Sequence, residues 1–175
     1  MQNFGKEIHN KFIKKFNIKK IPGEVDILYT NKTIKYLKYV KWFPGLKMVA
    51  IGNSISMNAG TIDSDIDLFI VTSPDSMWVN RILFTIFFQV LNVRKTKNKH
   101  AGRFCLSFFA TTNGLNFKDW KIEDDIYLYF WIIYLKPILS YDNTYELFIN
   151  QNKSWAIFDE YIKIINNNKN YIKYK

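Results

Sequence analysis

Two carboxylates at alternate positions, Asp65 and Asp67, open the apolar run Ile66 to Val71. Along an extended chain successive side chains alternate faces at ~3.3 Å per residue. Asp65 and Asp67 therefore point one way, while Ile66, Leu68 and Ile70 point the other. The run reads as a core strand whose apolar face packs on helices. Two like charges side by side on such a strand repel, which calls for a cation between them. A divalent metal meets that need, because Mg²⁺ (or Mn²⁺) is held by one or two carboxylates while water and substrate phosphates complete its shell. Upstream, Ala50-Ile51-Gly52-Asn53-Ser54 reads as a strand end that turns, and ten residues separate Ser54 from Asp65.

The rest of the chain organises around this pair. Residues 1–30 form a basic N-terminal arm or helix, with Pro22-Gly23 as punctuation. Thr30 or Asn31 caps a helix running to Trp42, with Ile34, Leu37 and Val40 on its buried side. Pro44-Gly45 ends it, Lys47 to Ile51 is the first core strand, and a short helical turn follows through Met57. Asp65 to Val71 is the second strand. Ser73-Pro74-Asp75 starts a strongly apolar helix over 77–93. A basic loop, 94–103, leads to a third strand from Arg103 to Ala110. The acidic segment 119–125 precedes an apolar helix from Ile126 to Leu135, closed by Lys136-Pro137. Residues 141–175 hold a last helix over about 144–166 and a frayed Asn/Lys/Tyr tail. The predicted class is α+β, a small mixed β-sheet flanked by helices with a helical C-terminal part, in which 31–140 is the core.

A chain of 175 residues reads as one domain able to bury a proper core. Its single cysteine, Cys105, excludes an internal disulfide framework and a multi-cysteine metal site, and suits a reducing cytoplasm. No leader segment is visible, and the apolar run Ile126 to Leu135 is too short to span a bilayer. A net charge of +10, clustered at 11–20 and again at Arg94, Lys95, Lys97, Lys99 and Arg103, is compatible with RNA as a partner. Joint overuse of Lys, Asn, Ile, Tyr and Phe is also what an AT-rich genome produces without any selection for binding. His9 and His100 sit in polar basic contexts and read as surface residues. Cys105 and the helically spaced aromatics Tyr127, Phe130, Trp131 and Tyr134 read as core.

Several chemistries share an Asp-x-Asp pattern. The series Asp63, Asp65, Asp67 resembles the start of a calcium-binding EF-hand loop. That loop needs Gly at its sixth position and Glu at its twelfth, where this chain has Leu68 and Pro74. A haloacid-dehalogenase motif follows its strand, whereas here the apolar run comes after the acids. A glycosyltransferase metal motif stays open, as does a solvated acidic loop.

The strand-turn, spacer and acid pair together resemble the nucleotidyltransferase (DNA polymerase beta-like) superfamily. Its signature is an apolar residue and Gly-Ser or Gly-Gly, a spacer of about ten residues, then Asp-apolar-Asp-apolar. Ser54, the spacer ending in Asp63-Ser64, and Asp65-Ile66-Asp67-Leu68 are similar to its minimal branch, over residues 35–140. The resemblance implies a polymerase beta-like fold and Mg²⁺ (or Mn²⁺) on Asp65 and Asp67. It further implies a nucleoside triphosphate such as ATP bound through Gly52, Asn53, Ser54 and Ser64. The activity implied is transfer of a nucleoside monophosphate to a hydroxyl on a protein, an RNA end or a small molecule, with release of pyrophosphate. Asn53 and Asn58 stand where the family carries glycines, and asparagine is the residue other than glycine that best tolerates left-handed backbone. The family's third carboxylate lies on a neighbouring strand. The third strand here alternates Cys105, Ser107 and Phe109 with Leu106 and Phe108, so Asp125 or Asp124 is the candidate for that role. An inactive relative kept as a binding module for RNA or protein is the alternative.

Overall fold

In the computed structural model, residues 6–123, 125–156, 162–168 and 172–174 are described, and Asp124 falls outside them. The chain is α+β, with a five-stranded mixed sheet flanked by helices. Strands β1 (Leu46–Ile51) and β2 (Ile66–Thr72) pair antiparallel, with Val49 opposite Ile70 and Ile51 opposite Leu68. Strand β3 (Phe104–Thr111) lies parallel to β2, β4 (Lys136–Tyr141) antiparallel to β1, and β5 (Ile172–Tyr174) parallel to β4. The order across the sheet is β3-β2-β1-β4-β5.

Alternation along β1 and β2 divides the interior into two cores. Ile66, Leu68 and Ile70 join Val49 and Ile51 under helices α2 (Glu24–Val40) and α4 (Met77–Val90), where Leu37, Val40, Phe84 and Phe88 are buried. The opposite face carries Met48, Ala50, Phe69 and Val71. These pack with Phe12 of α1 (Lys6–Lys15), Phe130 of α5 (Ile126–Tyr134) and Phe148 of α6 (Thr144–Ala156). The packing on helices expected of the face that carries Ile66, Leu68 and Ile70 is thus what the sheet displays. On α4 the apolar character exceeds what the core uses: Trp78, Ile82, Ile86 and Val90 stand exposed at four-residue spacing. Among the described residues no helix is long and apolar enough to cross a membrane.

Four expectations about the elements are corrected. Helix α2 starts at Glu24 and not at Thr30 or Asn31, because Asp26 reaches back to accept the Gly23 N–H at 2.8 Å. Thr30 is buried inside the helix. The Lys136-Pro137 pair does not merely close α5; it opens β4, with Pro137 opposite Ala50 at the register shift, where a strand tolerates a missing N–H. The last helix is two, α6 and α7 (Ile162–Asn167), and residues 157–161 between them fall outside those described. The tail pairs as β5, with Tyr174 stacked on Tyr141 at 4.8 Å between ring centroids. Of the arm or helix expected at the basic N-terminus, the described residues form the helix α1, whose Phe12 stacks on Phe130 at 4.0 Å.

Asp26 ties the helix start to the loop before β2. Only 1% exposed, it accepts N–H bonds from Gly23 at 2.8 Å and from Gly60 at 2.9 Å. A Cβ at Gly60 would come within 2.5 Å of the same carboxylate, so the loop approaches this closely only as glycine. Hydrogen bonds to charged acceptors contribute about 1.5–3 kcal/mol each. Asp26→Ala should therefore lower unfolding free energy by about 3 kcal/mol, read as an earlier urea midpoint. An unchanged midpoint would show that the loop is held by other contacts.

Candidate functional site

The site begins where β1 ends. The Gly52 N–H donates to the Asp67 carbonyl at 2.9 Å, which draws the turn against the first residues of β2. Beneath the turn lies the Trp131 indole; a Cβ on residue 52 would sit 2.8 Å from its Nε1, so this position needs glycine. Asn53 follows with φ 54°, opening the short helix α3 (Asn53–Ser56), and Asn58 has φ 53°. Both asparagines thus adopt the left-handed backbone expected of them. The Asn53 side chain adds a contact that glycine could not. Its Nδ2 donates to Asp67 Oδ2 at 2.7 Å, and its Oδ1 accepts from the Tyr127 hydroxyl at 3.0 Å. Burial, with the Asp67 charge second, raises the Tyr127 pKa and keeps that hydroxyl a donor.

Asp65, just before β2, and Asp67 within it form a group with Cys105 in which one ligand atom from each lies within 4.8 Å of the others. The cation beside the pair comes from the basic hairpin after α4, where Lys95 Nζ lies 2.6 Å from Asp65 Oδ2. That hydrogen bond is the main reason the Lys95 pKa is raised. Cys105 is not core. It pairs with Asp67 in the parallel register, half-buried, in the place next to the acids where the resemblance puts the third carboxylate. Burial pushes its thiol pKa up, opposed by the Ser107 hydroxyl at 3.1 Å and reinforced by Asp67.

Strict alternation along the third strand also fails. The register slips between Asp67–Cys105 and Phe69–Phe108, so a bulge separates Cys105 from Phe108. Phe108 consequently lies against Phe69 and Trp131, each at 5.2 Å, while Phe109 faces Phe84 of α4 across the sheet. Together with Tyr127 and Trp131 it walls a cavity of about 280 Å³, with Gly52, Asn53 and Asp67 at one side.

Asp125, just before α5, lines this cavity, and its Oδ1 caps that helix by accepting the Leu128 N–H at 3.0 Å. Ser54 lies in α3 outside the lining. Ser64 is engaged in the loop, its hydroxyl accepting the Thr61 N–H at 3.0 Å. Asp65 faces a second, basic hollow with Arg94, Lys95, Lys97 and His100. Trp131 is buried in the core as expected and also lines the cavity, whereas sequence reasoning missed Tyr127, Phe108 and Cys105, because helical or strand spacing marks such residues as core. Only the bulge and the docking of α5 on the turn bring them to the acids.

For a divalent cation the donor set fits in its two carboxylates, the hard oxygen ligands that Mg²⁺ and Mn²⁺ prefer, whereas the thiol suits softer metals. Gly52→Ala should cost about 1–3 kcal/mol, seen as a lower Tm, because the indole has to move. Alkylation of Cys105 by iodoacetamide should rise with pH around a midpoint above that of the urea-unfolded chain, since the reactive thiolate is disfavoured in the fold. Equal midpoints would place the sulfur in open solvent. No family model matches the chain, and no curated protein matches it.

Proposed function

We propose that the protein is a metal-dependent nucleotidyltransferase with a polymerase beta-like core. One observation carries the reading: Asp67, grouped with Asp65, lines a cavity that the Gly52–Asn53 turn also lines. This juxtaposition accords with the spacing of Ser54 and the acid pair in the sequence. Asp65 and Asp67 are the residues that would hold Mg²⁺ or Mn²⁺, which when bound neutralises and aligns phosphate. Asn53 and Tyr127 fix the Asp67 carboxylate in orientation, and Lys95 offsets the charge of Asp65. An acceptor hydroxyl then attacks the α-phosphorus of a nucleoside triphosphate such as ATP. The new P–O bond forms as the bond to the β-phosphate bridge breaks, pyrophosphate leaves, and the hydroxyl proton passes to Asp125 in the cavity wall.

A second reading has its own support. Cys105 holds the strand position beside Asp67, and both acids already have protein partners. Such a site fits an inactive relative that keeps the fold as a binding module. Calorimetric titration of Mg²⁺-ATP and Mg²⁺-GTP separates the two. The enzyme reading expects metal-dependent binding to wild type, weakened at least tenfold in Asp65→Asn/Asp67→Asn. No binding to either protein, with equal Tm values, would leave the binding module.

A further inference from the structure

Three hollows adjoin one another across the face that carries the acids. The first, about 290 Å³, lies between α1 and α5 and is lined by Lys11, Lys15, Phe12, Phe16, Ile126 and Tyr127. Tyr127 also stands in the wall of the central cavity, so the two share a side chain. The central cavity ends at Asp67, whose carboxylate is grouped with that of Asp65, and Asp65 lies in the wall of the third hollow. That hollow, about 570 Å³, is otherwise lined by Arg94, Lys95, Thr96, Lys97 and His100. The result is a groove basic at both ends and aromatic between them.

The aromatics are placed as platforms rather than as filling. Tyr127 is 42% exposed and Phe108 is 45% exposed, and both line the central cavity. Phe16 continues the series toward the basic end, its ring 5.6 Å from that of Tyr127 and beneath the Lys15 ammonium at 5.6 Å. In the middle, where phosphates would meet acids, Lys95 already covers Asp65 and Asn53 engages Asp67. Alternation of cationic stretches with exposed rings is the arrangement that holds a single-stranded polynucleotide, with phosphates on the cations and unstacked bases on the rings. A duplex keeps its bases stacked inside and cannot present them to Phe108 or Tyr127. An acidic polypeptide would use the charges alone.

We propose that the groove binds single-stranded nucleic acid, running from Lys11 and Lys15 past the acid pair to the 94–100 hairpin. The placing of a strand's hydroxyl end at Asp65 and Asp67, which would make the strand the acceptor, rests on the nucleotidyl-transfer reading. The binding itself does not. The test is fluorescence anisotropy of a labelled oligouridylate of about 12 nucleotides in EDTA. Neutralising about four phosphates gives a log–log salt slope of about −3, so affinity should fall roughly 50-fold between 50 and 200 mM KCl. Lys15→Glu and Lys97→Glu, at opposite ends, should each weaken binding at least fivefold. Phe108→Ala should weaken it about tenfold while Phe108→Trp restores it, which separates stacking from a folding defect. Absence of binding at 50 mM KCl would overturn the inference. So would equal affinity for a duplex, or displacement by polyglutamate together with wild-type binding by Phe108→Ala. Asp65→Asn/Asp67→Asn should bind the strand at least as tightly as wild type. Absence of Mg²⁺-ATP binding to the wild type, with strand binding intact, would instead remove the transferase reading and leave this one standing.

Discussion

Everything at the site depends on how β1 hands the chain to β2. Antiparallel pairing of Ile51 with Leu68 sets the register, and the Gly52 N–H bond to the Asp67 carbonyl closes it at the turn. A one-residue slip would send Asp67 into the α2–α4 core and Leu68 onto the open face, since the side-chain period of a strand is two. The slip is resisted because Val49, Ile51, Leu68 and Ile70 are all buried on the same side. The register thus positions the carboxylate, and the carboxylate needs no contact of its own to stay on the open face.

A strand pair alone would leave the acids on a bare edge. Helix α5 turns that edge into a cavity by setting Trp131 under Gly52 and Tyr127 beside Asn53. The arrangement couples three elements through small groups: a glycine that admits an indole, an asparagine that bridges a hydroxyl to a carboxylate, and an N-cap aspartate that joins the lining. The bulge in β3 completes the wall by bringing Phe108 to the face of Phe69, where strict alternation from Cys105 would have placed Phe109. Bulges of this kind re-aim a side chain at small cost to the ladder.

Local patterns made much of the fold legible. The apolar alternation after Asp65, the Pro and Gly breaks, and the apolar periodicity of the helices all report burial, and burial is what tertiary structure conserves from local sequence. Boundaries failed where a distant group intervened. The start of α2 moved to Glu24 because Asp26 found Gly23 and Gly60. Strand β4 was hidden by Pro137, whose missing N–H falls at a register shift that only the pairing with β1 creates. The tail became a strand because β4 offered it an edge.

By itself the sequence determined that Asp65 and Asp67 share a face, that a flexible turn precedes them, and that two asparagines could stand in for glycines there. These follow from strand periodicity and backbone sterics, which operate within a few residues. Tertiary structure alone decided which groups meet the acids. Lys95 reaches Asp65 from a hairpin some thirty residues away, Cys105 takes the neighbouring strand position, and Tyr127 and Phe108 line a cavity rather than the core. Those juxtapositions depend on strand order, a bulge and a helix docking angle, none of which has a local signature.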